Sequence, residues 1–155
     1  MSRSKVRLLH GPKIPKQDLK NYELIEHTAD FGIRVKGKDP EELFKNAALA
    51  MFDCIAAKTN PAQRTIQARI NQEAEDLEEL FINWLNELLS LSAIKEVIFT
   101  EFNINKISDT VIQAEADGEP AEAFKINTEI KAATYHQLKI DKSAEGLQAE
   151  VIFDV

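Results

Sequence analysis

The chain has 155 residues, 44% hydrophobic and 29% charged, which is the balance of an ordinary one-domain globular protein. Its formal net charge of −7 disfavours a broad nucleic-acid-binding surface, so any contact with nucleic acid is expected to be indirect or weak. No apolar run is long enough to span a membrane, and no signal-peptide core is present. Cys54 is the single cysteine, so no intramolecular disulfide is possible, and we expect a cytoplasmic protein without membrane association.

The first 20 residues differ in composition from the rest of the chain. Pro12 and Pro15 interrupt regular backbone structure there. We expect a flexible extension ahead of a single domain at residues 21–155, and a basic arm that touches RNA or an acidic partner is the alternative. The basic residues of this extension are Arg3, Lys5, Arg7, Lys13, Lys16 and Lys20.

Two strands are predicted next, at residues 22–26 and 31–37, separated by a polar turn. Ile33 and Val35 alternate with charged neighbours, which is typical of a sheet with one buried face. Gly32 is expected to relax the backbone just after the turn.

Two amphipathic helices have clear start signals. Asp39 and Asp76 are predicted N-caps, and each is followed three residues later by a glutamate, Glu42 or Glu79. Apolar residues then recur at helical spacing, the first helix ending near residue 57. Trp84 is expected in the core, because its neighbours at helical spacing are all apolar.

The remaining segments alternate with a period of two residues and predict strands. They are joined by short connections, which favour antiparallel pairing, and no internal repeat is evident. The expected fold class is therefore α+β, a mostly antiparallel sheet with two amphipathic helices packed on one face. The predicted strands cover residues 64–71, 99–107, 110–117, 128–140 and 147–155.

Common enzymatic motifs are absent from the sequence. It has five glycines and no Gly-rich phosphate loop, no cysteine pair for zinc, and no two histidines at helical spacing. Cys54 is predicted to be a structural thiol rather than a nucleophile. Catalysis by this chain alone is not expected.

A carboxylate site is the chemistry that remains. Asp30 lies in the first turn, close to His27, and Asp154 precedes the terminal residue Val155. If the first and last strands are neighbours, these oxygens would form an anionic cluster that suits a hard cation. The alternative is that Asp30 caps its turn and Asp154 is solvated. From its pattern alone, Lys131 is expected to be a solvated or edge residue.

Four stretches of the chain form a recognisable set: YELIEHTAD (22–30), EELFKNAALAMF (41–52), TEIKAATYH (128–136) and VIFDV (151–155). A second-helix run at residues 76–89, DLEELFINWLNELL, belongs with them. Together these stretches resemble the archease family. The match covers residues 22–155, in the order that the family shows, and the chain stops at Asp-Val.

The resemblance implies a non-enzymatic protein cofactor of an RtcB-type RNA ligase in tRNA splicing and RNA repair. Archeases promote guanylylation of that ligase and its multiple turnover. The family's divalent metal site, for Ca²⁺ with Mg²⁺ or Mn²⁺ as alternatives, matches Asp30, Asp154 and Val155. A family lysine needed for ligase activation matches Lys131, and His27 is a weaker candidate for the same contact.

Two other functions stay open. An older proposal for the family is that archeases act as a chaperone or specificity factor for a tRNA methyltransferase. The other hypothesis is that the protein is a small metal-dependent hydrolase. The chain also departs from the family at two places. Phe124-Lys125 stands where many members have His-Arg or His-Pro, and Asp117-Gly118-Glu119 stands where they have Trp-Gly-Glu. The resemblance therefore implies that the partner contact here differs if those groups matter to it.

Overall fold

A computed structural model describes residues 22–26, 31–61 and 64–155. The extension predicted at residues 1–20 lies outside this part of the chain. Neither described helix combines the length and apolar character that a membrane crossing requires. The elements are β1 (Tyr22–Glu26), β2 (Phe31–Gly37), α1 (Pro40–Ile55), β3 (Ala56–Lys58), β4 (Ile66–Glu73), α2 (Leu77–Lys95), β5 (Val97–Ile107), β6 (Val111–Pro120), a 3₁₀ turn (Ala121–Ala123), β7 (Phe124–Ile126), β8 (Ala132–Ser143) and β9 (Gly146–Asp154).

The described strands form three antiparallel sheets, with the orders β1-β2-β9-β8, β4-β6-β5 and β3-β7. The α+β class, the two helices and the antiparallel pairing are confirmed. The arrangement differs from one sheet covered on one face, because each helix packs against strands of both larger sheets. The burial pattern of α2 explains this difference. Its buried side chains are spread too widely for one sheet to cover: Leu80, Phe81, Ile82, Trp84, Leu85 and Leu88.

Alternation in β2 places its side chains as predicted. Ile33 and Val35 are fully buried, whereas Arg34 points to the opposite face. There the Nε of Arg34 donates to Glu150 Oε2 at 2.7 Å, and its other guanidinium arm pairs with Glu23. The two carboxylates come from the neighbouring strands β9 and β1, directly across from Arg34 in register.

Both helices begin at a capping box. The side chain of Asp39 accepts from the N–H of Glu42 at 2.9 Å, and that of Asp76 accepts from the N–H of Glu79 at 2.8 Å. Each glutamate accepts in return from the N–H of the residue before its cap, at 2.8 and 2.7 Å. Two orphan donors are thereby satisfied at each helix start, which confirms the predicted caps.

The starts of the two helices form a short internal repeat, which corrects the expectation that the chain has none. DPEELFKN at the start of α1 and DLEELFIN at the start of α2 share six of eight residues. In each, the final asparagine reaches back to a carbonyl of the preceding strand: Asn46 to Lys36 at 2.8 Å and Asn83 to Glu73 at 3.3 Å. Similar local sequences therefore make the same strand-to-helix connection twice.

The two helices meet through equivalent residues of this repeat. Phe44 and Phe81 pack edge to face, with ring centroids 5.2 Å apart. Trp84 lies beside them, fully buried, and its indole N–H donates to the carbonyl of Phe44 at 2.9 Å. The prediction that Trp84 belongs to the core is confirmed.

The strand predicted at residues 128–140 is divided in the structure. β8 begins only at Ala132, and its pairing with β9 is interrupted between Thr134 and Lys139. Four residues, 135–138, thus lie opposite the single residue Val151, and Gln137 has a left-handed backbone with φ of 56°. Such a bulge separates the start of β8 from the rest of the strand.

Candidate functional site

Three of the predicted site residues, Lys131, Asp154 and Val155, fall at one end of the four-stranded sheet, where β2 begins and β9 ends. Phe31, the first residue of β2, pairs in register with Phe153, and their rings are 5.7 Å apart. Phe153 is fully buried and anchors the end of β9. The next residue, Asp154, is exposed, and the terminal Val155 is 39% exposed.

Lys131 lies against Asp154 across the sheet. Its main-chain N–H donates to the main-chain carbonyl of Asp154 at 2.7 Å, and Ala132 pairs with Asp154 in register. The side chains of Lys131 and Asp154 are both exposed. The set Lys131, Ala132, Asp154 and Val155 is called the tip below.

Two of the predicted residues, Asp30 and His27, lie outside the described residues. Among the residues that are described, no group of three or more His, Cys, Asp and Glu side chains is arranged to hold a metal ion. The cation site therefore stays a prediction. Of its three candidate ligands, Asp154 and Val155 are described, and they lie together at the end of β9 beside Lys131.

Gly32, near the start of β2, is required for its small size rather than for backbone freedom, because its φ is not positive. A Cβ at this position would lie 2.4 Å from the carbonyl oxygen of Val151 and 2.8 Å from the Cδ1 of Ile152. Ile152 is 3% exposed, although it lies on the same face as the charged Glu150. The absence of a side chain at Gly32 lets Ile152 cover the sheet there, which corrects the expectation that this glycine relaxes a turn.

Asn86 was not recognised from the sequence as a site residue. It lies half-buried on α2, and its side-chain amide contacts both main-chain groups of Ala133, two residues from Lys131. The only local signal is one amide next to the buried leucines Leu85 and Leu88. Its partner is a backbone distant in sequence, which no side-chain pattern indicates.

Cys54 is not part of the tip chemistry. The thiol is 4% exposed near the end of α1, and burial, with a smaller contribution from the Asp53 carboxylate, raises its pKa to about 12. A thiol that stays protonated at neutral pH is a poor nucleophile. This result supports the structural role predicted for Cys54.

The raised pKa predicts that Cys54 makes stability fall at alkaline pH. Above the ordinary thiol value of 9.0, the unfolded chain loses this proton while the folded protein retains it, so the folded state is disfavoured. We expect a loss of about 1.4 kcal/mol by pH 10 relative to pH 7. Urea unfolding of wild type and Cys54→Ala at both pH values measures it as the difference between the two pH dependences. Identical dependences would contradict the prediction.

Comparison with known proteins gives the family. The profile of the "Archease protein family (MTH1598/TM1083)" matches residues 22–155. The chain is 41% identical over 142 residues to the protein archease of Methanosarcina barkeri, covering 88% of this chain and 97% of that protein. It is 38% identical over 144 residues to the protein archease of Pyrococcus abyssi, covering 88% of this chain and 100% of that protein.

Solved structures agree in fold. The solution structure of Methanobacterium thermoautotrophicum protein 1598 is similar with a TM-score of 0.68 and 32% identity, over 88% of this chain and 99% of that one. A crystal structure from Thermotoga maritima, described as an archease and possible chaperone, has a TM-score of 0.61 and 24% identity, over 84% and 94% of the two chains. The family profile and the identities of 32 to 41% over most of the chain establish that this protein belongs to the archease family.

Proposed function

We propose that this protein is a non-catalytic activator of an RtcB-type RNA ligase, and that it promotes guanylylation and multiple turnover of the ligase in tRNA splicing and RNA repair. Family membership supports the proposal in general terms. The particular observation that carries it is the bond from the Lys131 N–H to the Asp154 carbonyl, which holds an exposed cation and an exposed carboxylate at the same end of the sheet.

The proposed metal ligands are Asp30, Asp154 and the terminal carboxylate of Val155. Support comes from the β2–β9 register, because Asp30 precedes Phe31 in the sequence and Phe31 pairs with Phe153, the residue before Asp154. All three ligands offer carboxylate oxygens, which is the donor set of Ca²⁺, with Mg²⁺ and Mn²⁺ as alternatives. A bound ion would offset the repulsion among these carboxylates and supply a positive charge at the end of the sheet.

Lys131 is proposed to contact the ligase, its nucleotide or a phosphate. An exposed ammonium on a flexible stem can reach a partner that approaches the tip, and it donates three hydrogen bonds to phosphate or carboxylate oxygens. Its main chain is fixed to Asp154, so the reach of the side chain starts from a defined place. His27 is a weaker candidate for the same contact.

The test is guanylylation and multiple-turnover ligation by a purified RtcB-type ligase, with RNA that ends in a 2′,3′-cyclic phosphate and a 5′-hydroxyl. Wild type is expected to raise both rates. Lys131→Ala is expected to lower the stimulation by about tenfold or more, the effect of losing one charge-assisted hydrogen bond. Lys142→Ala is the matched control, because Lys142 is also exposed but lies at the other end of β8.

The outcomes separate the parts of the proposal. A wild-type protein that leaves both rates unchanged would refute the ligase function. Undiminished stimulation by Lys131→Ala would refute the role of this lysine alone. Turnover of RNA by the archease without ligase would instead support the hypothesis that the protein is a small metal-dependent hydrolase.

A chaperone or specificity factor for a tRNA methyltransferase is the second candidate. The description of the Thermotoga maritima protein as a possible chaperone favours it. This function predicts that the protein suppresses aggregation of a methyltransferase or changes the tRNA position that is modified. Neither effect requires Lys131, so Lys131→Ala distinguishes the two candidates.

A further inference from the structure

The start of β8, where Ala132 of the tip lies, pairs with its neighbouring strand over only a few residues. Ala132, Ala133 and Thr134 pair with β9, and the bulge at residues 135–138 then interrupts the ladder. A three-residue ladder is a weak element by itself, and the bulge prevents the longer β8–β9 hairpin from setting its register. The Thr134 hydroxyl adds one bond, to the carbonyl of Ile152 at 2.9 Å.

Asn86 of α2 makes two further hydrogen bonds to the start of β8, on the side away from β9. Its Nδ2 donates to the carbonyl of Ala133 at 3.0 Å, and its Oδ1 accepts from the N–H of Ala133 at 2.7 Å. β8 is the edge of its sheet among the strands that the structure describes, and no described strand lies next to these two main-chain groups. The amide therefore replaces a strand, with one donor and one acceptor in a fixed geometry.

We propose that Asn86 is a positioning residue for the tip. By fixing the register of Ala132–Thr134, it keeps the Lys131 N–H on the Asp154 carbonyl, and so holds the activating lysine beside the metal-binding carboxylates. The inference rests on the proposed function of Lys131 and Asp154. It adds that α2, and not only the β8–β9 hairpin, determines the positions of Lys131 and Asp154.

The amide of Lys131 gives a direct readout, because it bonds to Asp154 and not to Asn86. Hydrogen exchange of this amide is measured by NMR in the isolated protein. Asn86→Leu keeps a side chain of similar volume but has no hydrogen-bonding group, so a packing role would survive it. We expect Lys131 to exchange about tenfold faster in Asn86→Leu, the effect of roughly 1.4 kcal/mol of lost local stability.

Two further variants make the test specific. Asn86→Asp keeps the acceptor but loses the donor and places a carboxylate against the Ala133 carbonyl, so it should release the Lys131 amide at least as much as leucine does. Asn83→Ala is the matched control, one turn earlier on α2, where the lost bond goes to Glu73 and not to β8. Wild-type exchange of Lys131 in folded Asn86→Leu and Asn86→Asp, or equally fast exchange in Asn83→Ala, would overturn the inference.

Ligase assays then test whether the hydrogen bonds from Asn86 to Ala133 matter for ligase stimulation. Asn86→Leu is expected to lose about tenfold of the ligase stimulation, whereas Asn83→Ala keeps it. If the Lys131 amide is released but stimulation is undiminished, the positioning role is refuted while the ligase function stands. If wild type fails to stimulate any ligase, the proposed function fails, and the exchange data still decide whether Asn86 holds the tip.

Discussion

Replacing Asp154 with asparagine is expected to weaken Ca²⁺ binding by roughly 100-fold, because affinity at such sites depends strongly on the number of charged ligands. The substitution keeps the size of the side chain and one carbonyl oxygen, but removes the negative charge and replaces the second oxygen with an NH2 group that cannot bind a cation. The bond from Lys131 uses the main-chain oxygen of Asp154, so the tip should keep its geometry. Isothermal titration calorimetry of wild type and Asp154→Asn with Ca²⁺ measures the difference.

Asp141→Asn is the matched control for this experiment. Asp141 is also an exposed aspartate, but it pairs with Gln148, at the other end of β9 from the tip. The Asp141→Asn variant should bind Ca²⁺ with the affinity of wild type, whereas Asp30→Ala should lose affinity as Asp154→Asn does. Equal affinities for wild type and Asp154→Asn would remove Asp154 from the site, and a loss in Asp141→Asn would indicate diffuse attraction by the negative chain.

Truncating Trp84 to alanine is expected to destabilise the fold by about 3–5 kcal/mol, the largest single effect predicted for the core. The indole is fully buried, and its ring lies 6.3 Å from Phe44 and 6.0 Å from Phe102, centroid to centroid. It therefore connects α2 to both α1 and β5. Alanine leaves a cavity there and also leaves the carbonyl of Phe44 without the indole donor.

Urea unfolding of wild type and Trp84→Ala provides the measurement, followed by far-ultraviolet circular dichroism. Ile94→Ala is the control on the same helix, because Ile94 is 75% exposed and its truncation should change the free energy of unfolding by less than about 0.5 kcal/mol. Trp84→Phe keeps an aromatic ring but removes the indole N–H, and should fall between the two. A cost below about 1 kcal/mol for Trp84→Ala would show that this contact does not hold the elements together.

Short-range features of the chain were predictable. β1 and β2 have the predicted bounds, and both helices begin at the predicted aspartates. Alternation in β2 assigned Ile33 and Val35 to the core correctly. These features depend on residues within one or two turns of each other, so the local sequence contains the information that specifies them.

The candidate site was predictable only in part. The positions of Asp30, Asp154 and Val155 in the sequence indicated a carboxylate site, and only resemblance to a family added Lys131. The structure brings Lys131, Asp154 and Val155 together at the tip. Composition and spacing alone left Lys131 as a solvated or edge residue. The roles of Asp30 and His27 stay predictions, because both lie outside the described residues.

The sequence by itself determined where the helices start and which faces of the strands are apolar. It also determined that each of the two amphipathic helices has an apolar face that must be buried. Only the tertiary structure decided that the described strands form three sheets, that β3 pairs with β7, and that β8 is interrupted before Lys139. It alone showed that Asn86 holds Ala133. The physical reason is that side-chain periodicity specifies which face of an element is buried, whereas the choice of a backbone partner depends on groups far apart in sequence that meet only after the chain has packed.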